Sequence, residues 1–138
     1  MDRPYTIDHL DHIVLRVRDL ERAEAFYAAI GGEVCIRRPE NVSLQMSVDT
    51  RVTLKPEAGY EPPSVSSVDH LNFAVNADDI NKVAAYLQSL GLDAEVETNP
   101  HSSPSVRMTD PDNNVVEIRL NGVDAAAHQP GGLRRAEA

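Results

Sequence analysis

Two histidines in this chain stand in nearly the same setting. One lies in Leu10-Asp11-His12-Ile13-Val14-Leu15; the other, 58 residues on, lies in Val68-Asp69-His70-Leu71-Asn72-Phe73. A carboxylate, Glu117, interrupts the apolar run Val115-Val116-Glu117-Ile118. Two imidazoles and one carboxylate form a facial triad of donors for divalent Zn, Fe, Mn, Ni or Co, with coordination positions left open for water or substrate. A cation bound in that way polarises oxygen and stabilises negative charge as it develops. Lys55 and Arg107 fall on segments that carry or adjoin these positions and are candidates for contact with an anionic oxygen substrate. His101, in the stretch Asn99-Pro-His-Ser-Ser-Pro-Ser105, is a candidate general acid or base, read as part of a flexible loop able to close over the site.

Whether these groups meet depends on the elements that carry them. Residues 10–17 alternate as a strand, with Ile13, Leu15 and Val17 on one face and His12, Val14 and Arg16 on the other. Asp19 is a suitable N-cap, and Leu20, Ala23, Phe26, Tyr27 and Ile30 recur at helical spacing over 19–30. Gly31-Gly32 ends that helix. Strands follow near 33–38, 42–48 and 51–55. The order then repeats. A strand covers 68–75, a helix capped by Asp78 or Asp79 carries Ile80, Val83, Ala84, Leu87 and Leu90, Gly91 closes it, and strands fall near 92–97, 105–109 and 115–120. Asp110-Pro-Asp-Asn-Asn114 makes the last turn, where asparagine tolerates positive φ.

The fold class is therefore α+β, with two βαβββ modules at about 8–55 and 68–120. A Pro-, Gly- and Ser-rich linker spans 56–67, and a polar, Ala-rich tail spans 121–138. From the helices onward the two modules align with an offset of 60, which matches Leu20 with Ile80, Phe26 with Tyr86 and Ile30 with Leu90. In the last strand of each module, Val52 and Leu54, and likewise Val116 and Ile118, are expected to face the helix. Thr53 and Glu117 then occupy equivalent places on the opposite face, together with His12 and His70. Arg16, Gln45, Lys55, Asn72, Arg107 and Arg119 could project from that same face. A solvated sheet face would carry the same residue types, and spacing alone does not choose between the two readings.

Composition narrows the classes. At 138 residues and 41% hydrophobic content the chain suits one domain built of two small halves. A net charge of −9 argues against binding a phosphate backbone, so no nucleic-acid partner is expected. No run reaches the ~18 apolar residues of a membrane span, and no secretory signal stands at the N-terminus, so a cytoplasmic location is the expectation. Single Cys35 excludes an internal disulfide and reads as a small buried hydrophobe.

Asp11-His-Ile-Val-Leu-Arg-Val-Arg-Asp-Leu20 with Phe26-Tyr27, then Val68-Asp-His70, then Asp110-Pro-Asp112 leading to Val116-Glu-Ile118, resemble the vicinal oxygen chelate superfamily. That superfamily includes glyoxalase I, methylmalonyl-CoA epimerase, fosfomycin-resistance proteins, extradiol dioxygenases and bleomycin-resistance proteins. The resemblance covers about residues 8–120. It implies a curled mixed sheet forming a cup, with helices on its outer face, ligand roles for His12, His70 and Glu117, a small-molecule substrate and a homodimer. Thr53 stands where glyoxalase I has a further glutamate ligand, and threonine cannot act as that carboxylate base. The resemblance thus implies a metal-dependent glyoxalase-like lyase or isomerase. The alternatives are an extradiol-type Fe(II) dioxygenase and a metal-free drug- or metabolite-binding resistance protein. The scarcity of aromatic residues (4%, no Trp) removes the usual stacking platform of the last.

Overall fold

The first module begins at β1 (His12–Val17), a strand whose alternate residues Ile13, Leu15 and Val17 are the more buried ones. In this computed structural model, which describes residues 2–122, Asp19 caps the helix α1 (Leu20–Ala29) by accepting a hydrogen bond from the Arg22 amide. Ala23, Phe26 and Tyr27 form its buried stripe. Gly31, at φ 128°, lets the chain leave the helix in a conformation that side chains disfavour. Gly32 is needed for space: a Cβ there would lie 2.6 Å from Met46 Sδ and 2.9 Å from the Tyr27 carbonyl oxygen. The strands β2 (Glu33–Arg37), β3 (Val42–Ser47) and β4 (Thr50–Pro56) complete the module.

The second module repeats the order as β5 (Leu71–Val75), α2 (Ile80–Ser89), β6 (Glu95–Asn99), β7 (Ser102–Thr109) and β8 (Val115–Leu120). Asp79, rather than Asp78, is the N-cap of α2. The helices begin at Leu20 and Ile80 and are capped at Ile30 and Leu90, as the offset of 60 requires. The matched pair Phe26 and Tyr86 differs: Phe26 is buried, whereas Tyr86 is 60% exposed, and Ala84 and Leu87 are the buried residues of α2.

Each module is a separate compact unit, divided between Ser64 and Val65 inside the expected linker. Each holds a four-stranded mixed sheet, ordered β1-β4-β3-β2 in the first and β5-β8-β7-β6 in the second. The first and last strands of each unit pair in parallel, and the remaining pairs are antiparallel. Helix α1 packs on β3 and β4, and α2 packs on β6 and β7. Val42, Leu44, Val52 and Leu54 fill the space under α1; Val106, Met108, Val116 and Ile118 do so under α2.

Three sequence expectations change. Cys35 is exposed rather than buried, because the β2–β3 register shifts between Val34 and Ile36 and turns it out at a bulge. The segment around His101 is a two-residue hairpin turn, not a loop: Asn99 pairs with Ser102, and β7 starts there. The strand expected to carry His70 begins one residue after it, at Leu71. Of the expected tail, Asn121 donates its backbone N–H to the Val75 carbonyl at 2.7 Å; positions 123–138 lie outside the described residues.

Candidate functional site

Ladder register fixes which side chains share a face. In the first unit Val14 lies opposite Thr53, and Thr53 opposite Ser43. In the second unit Asn72 lies opposite Glu117, and Glu117 opposite Arg107. Thr53 and Glu117 are thus equivalent, as are Ser43 and Arg107. The face away from the helix carries a hydroxyl pair in one unit and an ion pair in the other.

Glu117 is only 7% exposed. A buried carboxylate needs partners, and this one has four nearby. Arg107 Nη1 lies 3.3 Å from Oε2. Ser105 Oγ donates to Oε1 at 3.3 Å, and Asn72 Nδ2 reaches the same oxygen at 3.4 Å. His70 Nε2 stands 3.8 Å from Oε1. Arg107 also approaches Glu97, with Nε 3.6 Å from its Oε2. The guanidinium therefore bridges two carboxylates.

Both histidines are held from the preceding aspartate. His12 Nδ1 lies 2.7 Å from Asp11 Oδ2, and His70 Nδ1 lies 2.8 Å from Asp69 Oδ2. An ionised carboxylate only accepts, so this contact places the proton of a neutral imidazole on Nδ1 and leaves the Nε2 lone pair for a metal. The hydrogen bond from His12 is the main cause holding the Asp11 carboxyl below its ordinary pKa, and Arg51 Nη2, 2.9 Å from Oδ2, adds to it. Asp69 is lowered in the same way, chiefly by His70 and slightly by Arg107.

In the second unit His70, Glu117 and Arg107 come together. His101 makes none of these contacts; its backbone N–H donates to Asn99 Oδ1 at 2.8 Å in the turn. Lys55 is exposed at the end of β4, opposite Arg16 in the ladder. Arg16 is engaged by Glu57 at 3.0 Å, and Gln45 by the Ser47 carbonyl. Neither unit by itself assembles three His, Cys, Asp or Glu side chains into a metal cluster among the described residues. Sequence reasoning did not single out Asp11, Asp69, Ser43 or Ser105 for these roles. Strand alternation in β3 and β7 was the available signal for the two serines. The Asp-His dipeptides were visible, but not the contact within them.

A repeated βαβββ module, with a buried carboxylate beside a histidine held by aspartate in the second copy, narrows the class to proteins built on this duplicated unit. The family model of the Glyoxalase/Bleomycin resistance protein/Dioxygenase superfamily matches residues 9–118, and the chain belongs to that superfamily. Among solved structures, the chain is similar to a point mutant of the fosfomycin resistance protein FosX from Listeria monocytogenes, complexed with Mn(II) and 1S,2S-dihydroxypropylphosphonic acid. Identity is 17%, coverage is 88% of this chain and 97% of that one, and the TM-score is 0.70. FosX from Mesorhizobium loti is 22% identical over 88% and 98% of the two chains, with a TM-score of 0.67. Lactoylglutathione lyase from Agrobacterium tumefaciens is 23% identical over 86% and 96%, with a TM-score of 0.62. At these identities the likeness describes the fold. No helix among the described residues is long and apolar enough to cross a membrane.

Proposed function

We propose that this protein is a metal-dependent enzyme of the glyoxalase-like lyase and isomerase kind, acting on a small oxygen-rich substrate. His70 and Glu117 would hold a divalent cation, with His12 as the third ligand. The observation that carries this reading is the approach of His70 Nε2 to Glu117 Oε1 at 3.8 Å, with the far nitrogen of the ring on Asp69. Two donors bound to one ion at about 2.0–2.2 Å each stand roughly 3–3.5 Å apart, so a small side-chain adjustment brings this pair into range. The donor set also fits: imidazole with carboxylate suits first-row divalent metals. His12 has the same local support from Asp11. When bound, such an ion supplies Lewis-acid stabilisation of negative charge on substrate oxygen.

The chain's own residues have distinct tasks. Asp11 and Asp69 orient the imidazoles. Arg107 neutralises and fixes Glu117 from the Oε2 side, which leaves Oε1 toward His70. Thr53 cannot act as a carboxylate base, so this reading departs from the usual residue set of glyoxalase I. Lys55 and Arg107 are the candidates for substrate contact, and His101 for proton transfer. A homodimer in the cytoplasm belongs to the same reading. The Mn(II) in the similar FosX structure supports a divalent ion here and makes Mn(II) the first metal to try.

Equilibrium dialysis of wild type, His12→Ala, His70→Ala and Glu117→Gln against Mn(II), Fe(II), Zn(II), Ni(II) and Co(II) tests the site. Wild type is expected to bind one of these stoichiometrically, and each variant at least tenfold more weakly. Equal binding by wild type and all three variants would sink the reading. Oxygen consumption with catechols by the Fe(II)-loaded protein would move the assignment to a dioxygenase.

A further inference from the structure

The first unit contains a recess of its own, of about 250 Å³, lined by His12, Arg38, Asn41, Ser43, Arg51 and Thr53, with Val14 as its apolar patch. That is below the ~300 Å³ at which drug-sized sites begin, so it suits one end of a small molecule. Its floor is the Ser43–Thr53 hydroxyl pair, 2.7 Å apart, with the residues 3% and 6% exposed. Two hydroxyls carry two hydrogens, and their mutual bond uses one. Neither hydroxyl has another partner among the described residues. One buried donor hydrogen is therefore left for something that enters the recess, and a buried donor without an acceptor is unfavourable.

The two guanidinium groups of the recess are not equivalent. Arg51 is neutralised by Asp11 at 2.9 Å. Arg38, in the β2–β3 turn, has no carboxylate partner among the described residues; its Nη1 donates only to the neutral Asn41 Oδ1 at 3.3 Å. The turn is closed by the Arg38 backbone N–H on the Asn41 carbonyl at 2.9 Å, which anchors the base of that side chain. An uncommitted cation and a spare buried hydroxyl donor thus line one polar recess. In the second unit the positions of Ser43 and Thr53 are filled by Arg107 and Glu117, which satisfy each other.

We infer that the recess of the first unit is a subsite for an anionic oxygen group, a carboxylate or a tetrahedral phosphonate or phosphate, held by the Arg38 guanidinium and the Ser43–Thr53 hydroxyl pair. The inference rests on the enzyme reading only in making this group part of the substrate. Binding itself needs no metal.

The test is titration of the full-length, chelator-treated protein with sodium acetate and with methylphosphonate at matched ionic strength, followed by amide shifts in two-dimensional NMR. Saturable shifts at residues 38, 41, 43 and 53 are expected, and the tighter of the two anions identifies planar or tetrahedral geometry. Arg38→Gln should weaken binding at least tenfold, and Ser43→Ala with Thr53→Val should abolish saturation. Arg22→Gln, removing a cation on α1 and not in the recess, should change nothing. An absence of saturable shifts in wild type, or wild-type binding by both the Arg38 and the hydroxyl variants, overturns the inference. Mn(II) dialysis on the same samples separates the two readings: anion binding without Mn(II) binding removes the metal site alone, and the reverse removes the subsite alone.

Discussion

Arg107 and Glu117 lie directly opposite each other on β7 and β8, with Nη1 3.3 Å from Oε2. The carboxylate is buried, while the arginine side chain is 41% exposed and keeps a second contact with Glu97. A cation on Oε1 would therefore share the carboxylate with a guanidinium on Oε2 that has a second carboxylate within reach.

Arg107→Ala is expected to lower the stability of the metal-free protein by about 1–2 kcal/mol, because Glu117 keeps its burial and loses its countercharge. Added Mn(II) should then raise the melting temperature of the variant more than that of wild type, since the ion supplies the missing charge. Urea denaturation and thermal melts with and without Mn(II) read both effects. An equal Mn(II) shift in the two proteins would show that the guanidinium and the ion do not share Glu117.

The Asp11 contact predicts a pH dependence. A carboxyl whose folded pKa is depressed stabilises the fold above its unfolded pKa, about 3.9, and loses that contribution as pH falls through the folded value. Asp11 is depressed, first by His12 and then by Arg51. Asp11→Asn should thus melt at a slightly lower temperature than wild type at pH 6–7, and the two curves should merge below the ordinary carboxylate range. A difference that grows toward acid would contradict the contact.

The last hairpin depends on one buried side chain. Asp110 accepts from the Asp112 and Asn114 amides at 2.8 and 2.9 Å and from Asn114 Nδ2 at 2.9 Å. Asp110→Ala is expected to cost about 2–3 kcal/mol in denaturant unfolding. Asn113 sits at φ 67°, where glycine is at ease, so Asn113→Gly should stay within about 0.5 kcal/mol of wild type.

The equivalence of Ser43–Thr53 with Arg107–Glu117 can be tested by transplantation. Thr53→Glu alone buries a carboxylate beside a serine and should destabilise by about 2–4 kcal/mol. Adding Ser43→Arg should recover at least about 1 kcal/mol of that loss, measured as the coupling in a double-mutant cycle. A coupling near zero would mean that the two sheets place these side chains differently.

Much of this was legible in the chain. The period-2 and period-3.6 patterns, the Asp caps and the glycine stops defined both modules, because each signal is local and repeated. The equivalence of Thr53 and Glu117 was also readable, since it follows from alternation once strand order is known. The partners of those residues were not. The pairing of Arg107 with Glu117 depends on the β7–β8 register, which no single strand reveals. Cys35 was misplaced because its residue type suggested burial, and the bulge between Val34 and Ile36 that turns it out has no signal in the sequence. His101 was misplaced because Pro and Ser suggest a loop even where two residues suffice for a hairpin.

The parallel ladders have a consequence for the order of synthesis. Each joins the first strand of a unit to its last, with Val17 opposite Pro56 and Val75 opposite Leu120. On the ribosome, β1 has no neighbour until the whole of its own module has emerged, and β5 waits in the same way for β8. Non-local pairing of this kind forms slowly. The first unit can complete its sheet while the second is still being translated, and the setting of Glu117 forms only when β8, the closing strand of its own unit, has been made. Nascent chains that stall before Val115 would therefore hold a finished Ser43–Thr53 recess but leave His70 at the start of an unpaired strand.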